Sequence, residues 1–104
     1  MSPVVEFDSR YFDSIAAGHK VVTVRWDDPI AVGPALFVFA GDDQHRTLNG
    51  VVTGVTHCAL GDLTEQLIQV DRGSSVAEYI AGLHDRYTAM PPDAVVDVVT
   101  FVVV

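Results

Sequence analysis

The sequence predicts an α+β domain in which a mostly antiparallel sheet curls into a small barrel, with helices packed on its outside. The chain has 104 residues, which suits one domain around a single core. Its 49% hydrophobic and 19% charged residues are typical of a folded globular protein. The apolar segments follow the order β-α-β-β-β-α-α-β, and their short connections favour antiparallel neighbours. We therefore expect residues 1–104 to form a single domain.

Five segments are predicted strands because they are rich in β-branched and apolar residues. In chain order they are Val4–Phe7, Val21–Arg25, Ala35–Ala40, Arg46–His57 and Val95–Val103. The fourth is long and contains Gly50 and Gly54, which indicate a bulge or a close approach of another group.

Three segments are predicted helices, and their ends carry recognisable signals. Arg10–Ala17 has an apolar stripe, with Asp8 or Ser9 as its N-cap and Gly18 as its stop. Gly61–Val70 and Ser75–Tyr87 are the other two, the last beginning at a serine cap. Both Arg10–Ala17 and Ser75–Tyr87 are expected to pack one apolar face against the sheet.

Composition also bears on the compartment. Residues 1–8 lack the basic and apolar regions of a signal peptide, and no apolar run approaches the ~18–20 residues of a membrane span. The single cysteine, Cys58, excludes an internal disulfide and is typical of a reducing compartment. We expect a cytoplasmic protein with no membrane partner.

The net charge of the chain favours some classes of ligand over others. The chain carries six Lys and Arg against fourteen Asp and Glu, a net charge of -8. Proteins that grip a phosphate backbone usually present a basic face, so RNA and DNA are disfavoured partners. A small neutral or cationic ligand meets no such penalty.

Metal and cofactor chemistry are not predicted. The four histidines are scattered, with no spacing typical of metal ligands. His57 and Cys58 are adjacent on a predicted strand, so their side chains face opposite sides and cannot form a nucleophile–base pair. We expect no metal and no cofactor.

One segment, "GHKVVTVR" (Gly18–Arg25), combines residues suited to amide hydrolysis. Lys20 is the only lysine of the chain, and it follows a glycine turn. Thr23 and Arg25 are two residues apart and share a face of the strand, which Lys20 joins if it belongs to the turn. A threonine hydroxyl beside a lysine is a known nucleophile–base arrangement, provided that burial or a neighbouring cation lowers the pKa of the lysine.

This segment resembles the signature of the ASCH domain family, a PUA-like β-barrel, in which a glycine is followed by x-Lys-x-x-Glu-x-Arg or x-Lys-x-x-Thr-x-Arg. The threonine version resembles the small bacterial ASCH proteins that hydrolyse N(4)-acetylcytidine to cytidine and acetate. The resemblance extends over most of the chain, including the aromatic helix before the motif, a strand at Gly33–Phe39, "DLTE" at Asp62–Glu65, and the closing strand.

The resemblance implies a catalytic set of Lys20 as base and acid, Thr23 as nucleophile, and a carboxylate. The carboxylate of the family is a glutamate, and it falls here near Asp71, one methylene shorter. Pro34 stands where the family usually has an aspartate. Gly18, Arg25 and Trp26 are the predicted substrate-binding residues, and the implied partner is a small nucleoside.

Simpler interpretations of these residues stay open. Lys20 and Thr23 also suit an ordinary solvated strand end and a strand position. Arg25 also suits a structural ion pair with Asp27 or Glu6, and Trp26 suits either base stacking or packing. Asp71 also suits a loop or helix-end acid.

Two other functions also stay open. One is a non-enzymatic ASCH/PUA-like module that binds RNA or a nucleotide. The other is an ASCH-type ribonuclease.

Overall fold

The computed structural model describes residues 3–41, 45–68 and 75–104. These ranges contain five strands: β1 (Val4–Asp8), β2 (Val22–Arg25), β3 (Gly33–Ala40), β4 (Thr47–Ala59) and β5 (Val95–Val103). The same ranges contain three α-helices: α1 (Phe12–Ala16), α2 (Glu65–Ile68) and α3 (Val76–Arg86). Short 3-10 turns precede α1 and α2. Within the described part of the chain, no helix has the length and apolar character that crossing a bilayer requires.

The strands form one mixed sheet in the order β1-β3-β4-β5-β2. β1 pairs with β3 in parallel, and the other three pairings are antiparallel. The predicted mostly antiparallel, curled sheet is therefore confirmed, with one parallel pair at an edge. β1 and β2, which flank α1 in sequence, lie at the two opposite edges.

The inside of the curl holds an aromatic cluster. Its buried members come from β1, β3, β4, β5 and α1: Val5, Phe7, Ile15, Ala35, Phe37, Phe39, Val52, Val99 and Phe101. Gly50 is part of this packing, because a Cβ there would lie 2.3 Å from the Phe37 ring. The close approach expected at Gly50 is therefore observed, and the register of β4 shifts between Val52 and Gly54, where a bulge was expected.

A second cluster lies on the outer face of β2 and β5, under α2 and α3. It contains Val22, Val24, Leu60, Leu63, Ile68, Leu83, Met90, Ala94, Val96 and Val98. β5 contributes alternate residues to the two clusters, Val96 and Val98 outside and Val99 and Phe101 inside. Since β2 and β5 are covered on both faces, they are the most enclosed part of the sheet.

The serine cap of α3 and the Gly18 stop are confirmed, whereas the predicted helix Arg10–Ala17 is shorter: α1 begins at Phe12 without a side-chain cap, and Asp8 caps the 3-10 turn Ser9–Tyr11 before it. The Asp8 carboxylate accepts a hydrogen bond from the Arg10 N–H, and the Ser75 hydroxyl accepts one from the Glu78 N–H. Gly18 has a φ of 78°, a left-handed conformation that favours glycine after a helix.

The predicted continuous helix Gly61–Val70 is wrong. A 3-10 turn at Leu60–Asp62 ends in an extended Leu63, and α2 begins afresh at Glu65. The Thr64 hydroxyl accepts a hydrogen bond from the Leu67 N–H, so it caps a new helix and interrupts the old one.

Candidate functional site

The site is built on the free edge of β2. The Val21 carbonyl accepts a hydrogen bond from the Phe101 N–H, so odd-numbered residues of this segment direct their backbone groups toward β5. By the alternation of an antiparallel ladder, the N–H and C=O groups of Val22 and Val24 point the other way. These backbone groups form one wall of a cavity.

Lys20 lies in the turn that leads into this edge. Gly18 reverses the chain, and the Lys20 N–H donates to the Ser14 carbonyl at 3.0 Å, which ties the turn to α1. The Lys20 ammonium donates to the Val22 carbonyl at 2.9 Å and lies 4.8 Å from the centroid of the Tyr11 ring. Lys20 is half-buried. The Lys20 side chain therefore lies outside the pleat of β2 and extends over the edge of that strand that does not face β5.

The Thr23 hydroxyl accepts a hydrogen bond from Arg25, which is itself fixed by several other contacts. The Arg25 Nε donates to Thr23 Oγ1 at 3.3 Å, its Nη1 contacts the Asp28 carboxylate at 3.1 Å, and its Nη2 donates to the Glu6 carbonyl at 2.7 Å. Arg25 also stacks on Phe7, with its Cζ 5.0 Å from the ring centroid. The guanidinium thus joins the two edge strands, β1 and β2, and orients the Thr23 hydroxyl.

The ion-pair partner of Arg25 differs from the expected Asp27 or Glu6. Asp27 has a φ of 51°, so the chain turns after Trp26 and brings Asp28 alongside Arg25. Glu6 contributes its backbone carbonyl rather than its carboxylate. Arg25 is 2% exposed and does not line the cavity of Lys20.

The cavity lies between α1, the turn at His19–Lys20, β2 and α3, and its volume is about 390 Å³. That volume is within the range of small-molecule sites. Lys20 and Thr23 both line it. The wall nearest α1 comes from Arg10, Tyr11 and Ser14, and the wall nearest α3 comes from Glu78, Tyr79, Gly82, Leu83 and Arg86.

Tyr79 brings a second polar group to the edge of β2. Burial raises the pKa of its phenol above the ordinary value of 10, and a hydrogen bond with the Val24 backbone and the charge of Arg25 oppose that rise. The hydroxyl is therefore neutral near pH 7. Lys20 and Tyr79 engage neighbouring backbone groups along one strand edge, at Val22 and Val24.

Sequence reasoning missed the α3 wall. The helical period of 3.6 places residues 79, 82, 83 and 86 on one face, and this face carries a tyrosine, a glycine and an arginine among its apolar positions. Gly82 in mid-helix has open space around the position of a Cβ. A glycine and an arginine on the inward face of a helix were the available signal.

The remaining predicted residues lie elsewhere. Trp26 packs on the outer cluster, with its ring 6.0 Å from that of Tyr87, and it does not line the cavity. Gly18 shapes the turn before Lys20. Asp71 lies outside the described residues. Within the described ranges, no group of three or more His, Cys, Asp or Glu side chains is placed to hold a metal ion.

Comparison with known proteins bears on the fold. No family model matches the sequence, and no curated protein matches it. The structure is similar to an ASCH domain from Lactobacillus crispatus JV V101, with a TM-score of 0.74 and 14% identity over 97% of this chain and 79% of that one. It is also similar to protein EF3133 from Enterococcus faecalis V583, of the DUF984 family, with a TM-score of 0.74 and 18% identity over 100% of this chain and 77% of that one.

A third similar structure is the hypothetical protein PH0355, with a TM-score of 0.68 and 19% identity over the whole of both chains. At these identities the similarity concerns the fold. The protein therefore has an ASCH-type, PUA-like fold, as the Gly18–Arg25 segment led us to expect.

Proposed function

We propose that the protein is a small amidohydrolase that converts N(4)-acetylcytidine-type acylated cytosine nucleosides to cytidine and acetate. The observation that carries this proposal is that the only lysine of the chain and Thr23 line the same cavity. Amide hydrolysis needs a nucleophile, a base for it, an acid for the leaving group and donors for the oxyanion. The lining residues include a group suited to each role.

In the first step, Lys20 in its amine form accepts the proton of Thr23, and Thr23 Oγ1 attacks the acyl carbonyl carbon. The Arg25 N–H on Oγ1 favours the developing alkoxide and points its attack toward the cavity. As the tetrahedral intermediate collapses, the C–N bond breaks, and the Lys20 ammonium protonates the N4 nitrogen that leaves. Lys20 then deprotonates a water molecule, and the resulting hydroxide attacks the carbonyl carbon of the threonine ester. As the ester C–O bond breaks, the Lys20 ammonium returns its proton to Thr23 Oγ1, and the acetic acid that leaves ionises to acetate in solution.

Two groups supply further support for these steps. Tyr79, neutral and hydrogen-bonded to the β2 edge, is suited to donate to the oxyanion of the intermediate. A carboxylate that orients Lys20 completes the proposed set, and Asp71 is the predicted residue for that role.

The test is incubation with N(4)-acetylcytidine, followed by chromatography for cytidine. Lys20→Arg keeps the charge but cannot act as a base near neutrality, so we expect it to lose nearly all hydrolysis. Thr23→Val removes the hydroxyl at nearly constant shape and is expected to lose most of it. Thr53→Val is the matched control, because Thr53 is an exposed strand threonine outside the cavity. Asp71→Asn is expected to lose ten-fold or more, which is about 1.4 kcal/mol of barrier.

The outcomes separate the alternatives. Full activity in Lys20→Arg would show that the lysine is not the base and that the motif is structural. A wild-type protein that binds N(4)-acetylcytidine without releasing cytidine would be the non-enzymatic module. Cleavage of an RNA oligomer, lost in the same variants, would indicate the ribonuclease.

A further inference from the structure

The charge of the cavity wall is opposite to the charge of the molecule. The chain as a whole carries a net charge of -8, yet Arg10, Lys20 and Arg86, three of its six Lys and Arg residues, line this one cavity. Glu78 is the sole acidic side chain of the wall in the part of the chain that the structure describes. This concentration of positive charge favours an anionic ligand.

Arg10 and Lys20 lie close together because they share one aromatic ring. The Arg10 Cζ and the Lys20 Nζ are each 4.8 Å from the centroid of Tyr11, so the two cations lie within twice that distance of each other. The carboxylate of Asp8 is 4.0 Å from the Arg10 Nε, but both side chains are at least half exposed and such a pair is weak. The Arg10 guanidinium is therefore available to a ligand.

Arg86 lines the same cavity from the last turn of α3. Its Cζ lies 5.6 Å from the centroid of the Tyr87 ring. Considering only the described residues, no carboxylate is within ion-pair distance of this guanidinium. The two arginines that line this cavity offer planar forks of N–H donors, which match the geometry of a phosphate.

We propose that the ligand of this cavity is a nucleoside monophosphate rather than a nucleoside, with its phosphate held at the rim by Arg10 and Arg86. One phosphate carries a charge of about -1.5 to -2 near pH 7, which the guanidinium groups of Arg10 and Arg86 balance. A polynucleotide would bring further phosphates against the acidic remainder of the surface. The identity of the base rests on the proposed function, whereas the phosphate site rests on the charges described above.

The test compares two ligands that differ by the phosphate alone, cytidine 5′-monophosphate and cytidine, by titration calorimetry at low ionic strength. We expect the monophosphate to bind at least ten-fold tighter, and the preference to shrink as salt is added. Arg10→Gln and Arg86→Gln should each reduce the preference, and the double variant should bind both ligands equally. Arg46→Gln is the control of equal charge change, because Arg46 stacks on Phe12 at 4.0 Å and does not line the cavity.

Three results would overturn this inference. They are equal affinity of the wild type for both ligands, a preference that survives in the double variant, and competition by inorganic phosphate as strong as that by cytidine 5′-monophosphate. Hydrolysis of N(4)-acetylcytidine is measured separately. A wild type that hydrolyses it without preferring the monophosphate overturns the phosphate site alone. One that prefers the monophosphate without hydrolysing overturns the proposed reaction and supports the phosphate site.

Discussion

Thr23 and Arg25 are the only buried polar or charged side chains among the described residues, and they are partners. A buried guanidinium is tolerated only where its donors are satisfied, and here a hydroxyl, a carboxylate and a backbone carbonyl receive them. The same bonds orient the proposed nucleophile. Arg25 therefore holds the Thr23 hydroxyl and joins the two sheet edges, and it does not line the cavity of Lys20.

Arg25→Lys is expected to lower the free energy of unfolding by about 2–3 kcal/mol. An ammonium keeps the charge but cannot reach Thr23, Asp28 and Glu6 together, which leaves buried acceptors without donors. Urea titration followed by circular dichroism measures the change. Arg86→Gln, an exposed arginine, should stay within about 0.5 kcal/mol of the wild type. An Arg25→Lys variant as stable as Arg86→Gln would contradict the structural role.

Among the elements, α3 connects stability with function. Its outer-cluster contacts hold it on β2, and its Tyr79–Arg86 face closes the cavity. Gly82 is unfavourable in the middle of a helix, yet a side chain there would meet no neighbour. The glycine leaves room in the cavity at the expense of helix stability.

Gly82→Ala should therefore raise the free energy of unfolding by about 0.5–1 kcal/mol. Gly82→Leu should keep the helix but fill the cavity, reducing turnover of N(4)-acetylcytidine at least ten-fold. Ala81→Leu is the matched control, since Ala81 is an exposed neighbour on α3 that does not line the cavity. Normal turnover in Gly82→Leu would show that the reaction takes place elsewhere.

The whole molecule repels polyanions while one cavity attracts anions. At physiological salt, charges that lie more than about 8–10 Å apart are largely screened from each other. The acidic groups of the outer surface therefore have little effect on the charges of the cavity. Binding of a short anion in the cavity is thus favoured, whereas a long nucleic acid would also be repelled by the acidic surface.

We therefore expect single-stranded RNA oligomers to bind more weakly than micromolar at physiological salt. Fluorescence anisotropy of a labelled oligomer across a salt series measures this. Tight binding with a steep dependence on salt would reverse the preference for a small ligand and favour the RNA-binding alternative.

Local chemistry in the sequence determined most elements of this protein. β-Branched runs, the Asp8 and Ser75 caps and the Gly18 stop act on neighbours in the chain, and β5 lies at the predicted Val95–Val103. The same local pattern placed Lys20 in a turn beside Thr23. The break in the predicted second helix was missed because Thr64 competes for a backbone N–H that periodicity alone assigns to the helix.

Tertiary structure decided the strand order, the parallel β1–β3 pair, and which helix faces the free edge of β2. It also buried Arg25 between β1 and β2, and it brought Tyr79 and Arg86 into the same cavity as Lys20. These arrangements depend on which apolar faces pack together across long stretches of chain. The periodicity of a helix or strand indicates which of its faces is buried. Only the packing of the complete sheet determines which other element covers that face.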